Sequence, residues 1–160
     1  MLVLAAPAGA AAQDDGIAVG ARPAAATLED LDGAPVSLDT VVAGEPALVE
    51  FWATWCPICR ALEPRVRAAH ERFGDQVAFV VVAVGVAQTR EQVAQHVETR
   101  PMPGQVLWDV RGEAVRAFDA PGTGFIVVLD ADGRVAYAGT GVDQDLEAAL
   151  EPVVDRAGSR

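Results

Sequence analysis

Val77 to Val84, Val-Ala-Phe-Val-Val-Val-Ala-Val, narrows the folds open to this chain more than any other segment. β-branched side chains crowd a helix and suit a pleated strand. No polar residue alternates with them, so both faces of the strand need cover, as in the centre of a parallel sheet. Ala47-Leu-Val-Glu-Phe-Trp52, bounded by Gly44-Glu-Pro46, reads as a second buried strand. Between the two, Pro57 to Phe73 carries Ile58, Leu62, Val66 and Ala69 at helical spacing. Pro57 suits the first turn of that helix, and Pro64 is expected to kink it.

The alternation continues. Thr89 to Thr99 reads as a helix with Thr89 as N-cap, Gln105 to Trp108 as a short strand, and Gly112 to Phe118 as a short helix. Phe125 to Leu129 and Arg134 to Ala138 flank the turn Asp130-Ala-Asp-Gly133, a hairpin signal. Asp143 to Ala157 closes the chain as a helix. Leu28 to Leu38 reads as two short strands around Asp32-Gly33. Together these predict an α/β fold: a central sheet of mixed direction with helices on both faces.

At 160 residues the chain has the size of one domain. Its first twelve residues are small and apolar, and Ala10-Ala-Ala12 before Gln13-Asp-Asp15 has the form of a signal-peptidase site. Residues 1–21 are therefore expected to be a signal-peptide remnant and flexible leader, with the domain spanning 22–160. Twelve Arg, no Lys and 23 acidic residues give a formal charge of −11. Such an anion has no electrostatic reason to bind nucleic acid or anionic lipid.

The two cysteines, Cys56 and Cys59, form one Cys-Pro-Ile-Cys unit. A bridge this short closes too small a loop to constrain the unfolded chain, so its purpose is not stability. At a strand-to-helix junction Cys56 faces unpaired N–H groups and the positive end of the helix dipole, which favour its thiolate. Cys59, one turn along, is expected to be less exposed than Cys56. That order supports exchange in two steps: Cys56 attacks a substrate disulfide and Cys59 resolves the mixed disulfide. No second cysteine pair supports a zinc site, and no metal is expected. His70 and His96 read as solvent-facing helix residues.

Phe51-Trp-Ala-Thr-Trp-Cys-Pro-Ile-Cys-Arg60 resembles the active-site segment of the thioredoxin superfamily, above all its exported TlpA/ResA-like disulfide reductases. The resemblance runs from about Ala24 to Val154 and includes Pro64 and the segment Gly122 to Arg134. It implies a thioredoxin fold with the Leu28–Leu38 hairpin as an N-terminal addition. It also implies that Glu50 is a buried acid whose raised pKa lets it exchange a proton with Cys59. Trp55, Pro57 and Ile58 then shape the substrate surface.

One departure stands out. The family places a cis-proline opposite the thiols, and that position falls on Gly124, preceded by Thr123. Thr123 and Gly124 are thus expected to face substrate. A cis bond before glycine costs ~2.5–4 kcal/mol, so a trans peptide or a freely swinging loop is expected, unless an insertion lets Pro121 take the place.

The expected activity is thiol–disulfide exchange with protein disulfides; the resemblance implies reduction as its direction, with apocytochrome c or oxidised periplasmic proteins as substrates. No cofactor beyond the redox-active disulfide is implied. A membrane thiol–disulfide electron donor, an extracytoplasmic location and a monomeric state go with it. Two alternatives remain: a redox-silent adaptor for metal or protein, and a thiol peroxidase. Thr54 argues against the peroxidase, lying two residues before Cys56 rather than three.

Overall fold

The structure is a computed structural model and describes residues 16–159. Seven strands form one sheet in the order β2-β1-β5-β4-β3-β6-β7. At its centre β3 (Ala47–Trp52) and β4 (Ala78–Val84) run parallel, and β5 (Gln105–Asp109) extends the parallel set beyond β4. On the other side β6 (Phe125–Leu129) pairs antiparallel with β3, and β7 (Val135–Thr140) antiparallel with β6. The short hairpin β1 (Thr27–Glu29) and β2 (Pro35–Ser37) joins the far edge through Glu29 opposite Trp108. The sheet is therefore mixed, as the strand and turn pattern requires.

Every residue of β3 and β6 is buried, and the continuous apolar runs of the sequence follow from that. One face of the sheet packs on α2 (Pro57–Phe73) and α5 (Leu146–Gly158), where Leu62, Val66, Ala69, Leu150 and Val153 meet Leu48, Phe79, Ile126 and Val128. The other face carries Val93 of α3 (Arg90–Thr99), Ala114 of α4 (Glu113–Ala117) and Leu38 of the single-turn α1 (Leu38–Val41). Thr89 caps α3 with a reciprocal box, its hydroxyl accepting from Gln92 N–H while the Gln92 side chain accepts from Thr89 N–H. α2 continues through Pro64 to Phe73.

The fold departs from the sequence expectations at three places. Residues 1–15 lie outside the described residues, but 16–21 belong to the folded body rather than to a flexible leader. Ile17 N–H donates to the Phe118 carbonyl, Gly20 N–H to that of Val135, and Val135 N–H to that of Ala21. These bonds, with Ile17 packed on the core, tie the segment down. The last helix starts at Leu146 instead of Asp143, because Asp145 is its N-cap, accepting from Ala148 N–H, and Gln144 is turned inward. His96 is half-buried, its ring edge-on to Trp52 with centroids 5.0 Å apart, not solvent-facing.

Candidate active site

β3 ends at Trp52, and a turn closed by Cys56 N–H to the Ala53 carbonyl delivers the chain into α2. Cys56 is the N-cap of that helix and Pro57 its first residue, where a missing N–H leaves no bond unmade. The Cys56 sulfur accepts from Cys59 N–H at 3.0 Å, so it lies among the free N–H groups of the first turn. The two cysteines are joined as a disulfide with Cα atoms 5.3 Å apart.

The expected difference in exposure between the two sulfurs is absent. Cys56 is 1% exposed and Cys59 2%. What differs is what surrounds each. Cys56 lies between exposed residues, Trp55 at 44% on one side and Ile58 at 39% with Pro57 on the other. Cys59 lies inward, its sulfur 3.9 Å from the Phe51 carbonyl oxygen. The oxidised pair lies within the first turn of α2, where Cys59 N–H meets the Cys56 sulfur.

Glu50 occupies the middle of β3, in register with Val81 on one side and Ile126 on the other, and is 3% exposed. Glu50 and Cys59 line one cavity of about 10 Å³, roughly the volume that holds a single water. Burial pushes the Glu50 pKa up to about 8, and the nearby charge of Glu63 adds to the rise. Arg60, Glu63, His96 and Arg100 line the same cavity. Burial lowers the His96 pKa, as do Arg100 and Arg60, against Glu63. Glu63 lies on α2 four residues past Cys59 and pairs with Arg67 at 2.7 Å.

Opposite the thiols stands Gly124, buried, with φ +77. No peptide bond among the described residues is cis. The glycine N–H donates to the Phe51 carbonyl at 2.8 Å, and its own carbonyl accepts from Gln144 Nε2 at 3.2 Å. A Cβ here would stand 2.5 Å from Ile58 Cγ2. Proline fits this place in no respect: it fixes φ near −65° and has no N–H to give. The loop is therefore tied rather than freely swinging. Pro121 is exposed three residues away and does not replace Gly124.

Trp55 is held by its indole N–H, which donates to the Val86 carbonyl at 2.9 Å. The loop carrying Val86 is itself braced by Gln88, whose Oε1 accepts from Thr54 N–H and hydroxyl while Nε2 donates to the Val84 carbonyl. Thr123 joins Trp55, Val86 and Pro121 in lining an apolar cleft of about 230 Å³. The structure thus gathers Glu50, Trp55, Pro57, Ile58, Thr123 and Gly124 around the two cysteines. Sequence reading misses Gln88 and Gln144, since a glutamine in a loop or beside a helix start carries no pattern of its own. Among the described residues no group of three or more His, Cys, Asp or Glu is placed to hold a metal ion.

Comparison with known proteins agrees with this geometry. The Redoxin family profile matches residues 8–153. The methylamine utilization protein MauD of Methylobacillus flagellatus is 30% identical over 136 residues, 84% of this chain and 63% of that protein. The thiol-disulfide oxidoreductase ResA of Bacillus subtilis is 25% identical over 114 residues, 71% of this chain and 63% of ResA. The chain therefore spans less than two thirds of either relative. A thiol:disulfide interchange protein of the thioredoxin family from Chlorobium tepidum superposes with a TM-score of 0.70 at 24% identity, covering 86% of this chain and 98% of that one. That likeness establishes the thioredoxin fold. Profile, relatives and fold agree, and the chain belongs to the Redoxin family as a TlpA/ResA-like member of the thioredoxin superfamily.

Proposed function

We propose that this protein exchanges its Cys56–Cys59 dithiol with disulfides of other proteins, working as a reductase. The observation that carries the reading is the placing of the pair: one sulfur at the N-cap of α2 between the exposed Trp55 and Ile58, the other lining one cavity with a buried carboxyl.

In the reduced form Cys56 attacks as thiolate. A bond forms between its sulfur and one substrate sulfur, the substrate disulfide breaks, and the other substrate sulfur leaves as thiolate. Cys59 then gives its proton to the Glu50 carboxylate, directly or through a water in the shared cavity, and attacks the Cys56 sulfur. The Cys56–Cys59 bond forms, and the second substrate sulfur departs and takes up a proton. Two electrons pass from the protein to its substrate. With a pKa of about 8, Glu50 is mostly protonated at pH 7 and supplies more carboxylate as the pH rises. Trp55, Pro57, Ile58 and Thr123 form the surface that receives the substrate segment, with the buried Gly124, expected from the sequence to face substrate, supporting it from behind Ile58. No cofactor beyond the disulfide enters these steps.

The preferred setting is outside the cytoplasm, given the Ala10-Ala-Ala12 cleavage form. A monomer would draw electrons from a membrane thiol–disulfide donor and pass them to oxidised exported proteins, cytochrome c apoproteins among them. No helix among the described residues is long and apolar enough to cross a membrane. Insulin reduction driven by dithiothreitol tests the activity: turnover is expected for the native chain and none for Cys56→Ser. Absent turnover with one equivalent of bound metal would instead support the adaptor alternative.

A further inference from the structure

Gln144 is a buried side chain to which the exchange steps assign no part. Both polar atoms of its amide are engaged. Nε2 donates to the Gly141 carbonyl at 2.8 Å and to that of Gly124 at 3.2 Å, and Oε1 accepts from the Tyr137 hydroxyl at 3.1 Å. The opposite amide orientation would set Oε1 against two carbonyls, so this network has one consistent assignment. Gly139 leaves the room it needs, for a Cβ there would stand 2.3 Å from the Tyr137 hydroxyl and 3.1 Å from Gln144 Oε1. Three glycines, Gly124, Gly139 and Gly141, therefore surround this polar group.

From Gln144 the contacts lead straight to the disulfide. The amide holds the Gly124 carbonyl, Gly124 N–H holds the Phe51 carbonyl, and that same carbonyl oxygen lies 3.9 Å from the Cys59 sulfur. Gly124 has no ring to fix its backbone, and glycine is the residue with most freedom to lose. Its left-handed conformation is kept by a bond at each end. Removing the outer bond frees the carbonyl side of Gly124 and, with it, the direction in which Thr123 faces the cleft.

We infer that Gln144 is the positioning residue of the substrate-facing loop, holding Gly124 so that Thr123 is preset to receive an extended segment of the protein substrate. Gln144 touches neither substrate nor sulfur; it acts through Gly124. The inference rests on the exchange reading, because it concerns how that reaction's substrate is held.

Gln144→Leu tests it. KM for insulin is expected to rise about fivefold, the factor matching one net hydrogen bond of about 1 kcal/mol. The rate constant at saturation and the equilibrium constant with glutathione are expected to stay within about twofold, since neither depends on a preset loop. Hydrogen exchange at the Gly124 amide is expected to quicken by a similar factor of about five. Tyr137→Phe, which releases only the far side of the amide, is expected to move KM and exchange in the same direction by about half as much on a logarithmic scale. It keeps the test open if Gln144→Leu does not fold. An unchanged KM with unchanged Gly124 exchange, in whichever variant folds, overturns the inference. So does an equal loss of reactivity toward insulin and glutathione, which marks a merely structural residue. If the native chain itself leaves insulin intact, the exchange reading fails instead, and the Gly124 exchange rate still decides the role of the amide.

Discussion

Glu50 sits in a fully buried strand beside the inner sulfur, and its pKa of about 8 makes it a proton carrier rather than a fixed charge. Glu50→Gln removes the carrier and keeps the shape. The rate of mixed-disulfide resolution in the native protein should rise between pH 7 and 9 as the carboxylate forms. In Glu50→Gln that rise should vanish and the rate at pH 8 should fall by roughly tenfold or more, within the range of general base catalysis. Stopped-flow tryptophan fluorescence reads this step, and an identical pH profile would remove Glu50 from the mechanism. Gly124 makes a second test at this scale. Its φ of +77 and the approach of Ile58 leave no place for a side chain. Gly124→Ala should cost about 1–3 kcal/mol in urea denaturation, from left-handed strain and the displaced Ile58. A cost near zero would contradict the backbone described here.

The loop from β4 to α3 acts as a brace for Trp55. Gln88 makes three hydrogen bonds, accepting two from Thr54 and donating one to the Val84 carbonyl, and Ala87 adopts a φ of +53 beside it. Trp52 and Trp108 are buried, so Trp55 is the tryptophan that an external quencher meets. Gln88→Ala should raise the acrylamide quenching constant by about twofold and lower stability by about 1 kcal/mol, since the partners it leaves are half-buried. Unchanged quenching would mean that Trp55 is held without the loop. Elements with a strong period were legible beforehand: β3, α2, β4 and the β6–β7 turn are where apolar spacing, Pro57 and Asp130-Ala-Asp-Gly133 place them. The start of α5 was not. Asp143 and Asp145 both look like caps, and only the inward turn of Gln144 toward Gly124 decides between them.

Across the whole molecule, the buried acid links function to stability. The folded state holds the Glu50 proton up to about pH 8, whereas the unfolded chain releases it near 4.5. Stability from this group is therefore complete below pH 4.5 and is lost progressively as the pH rises toward 8. Between pH 5 and 8.5 the native protein should lose on the order of several kcal/mol relative to Glu50→Gln, read by urea denaturation at both values. A constant difference between the two would show that the carboxyl is not buried as described.

The sequence revealed the sheet and the thiol pair because burial and the Cys-Pro-Ile-Cys spacing leave local marks. It did not reveal the low exposure of Cys56, nor the docking of Ile17 and Gly20 on the body, since both depend on residues distant in the chain. That low exposure makes one measurement decisive: trapping the mixed disulfide. Cys59→Ser, reduced and mixed with a disulfide-containing protein, should accumulate a covalent adduct through Cys56, identified by mass spectrometry, while Cys56→Ser should give almost none. Equal adducts from both variants, or an adduct only through Cys59, would contradict the order of the two sulfurs.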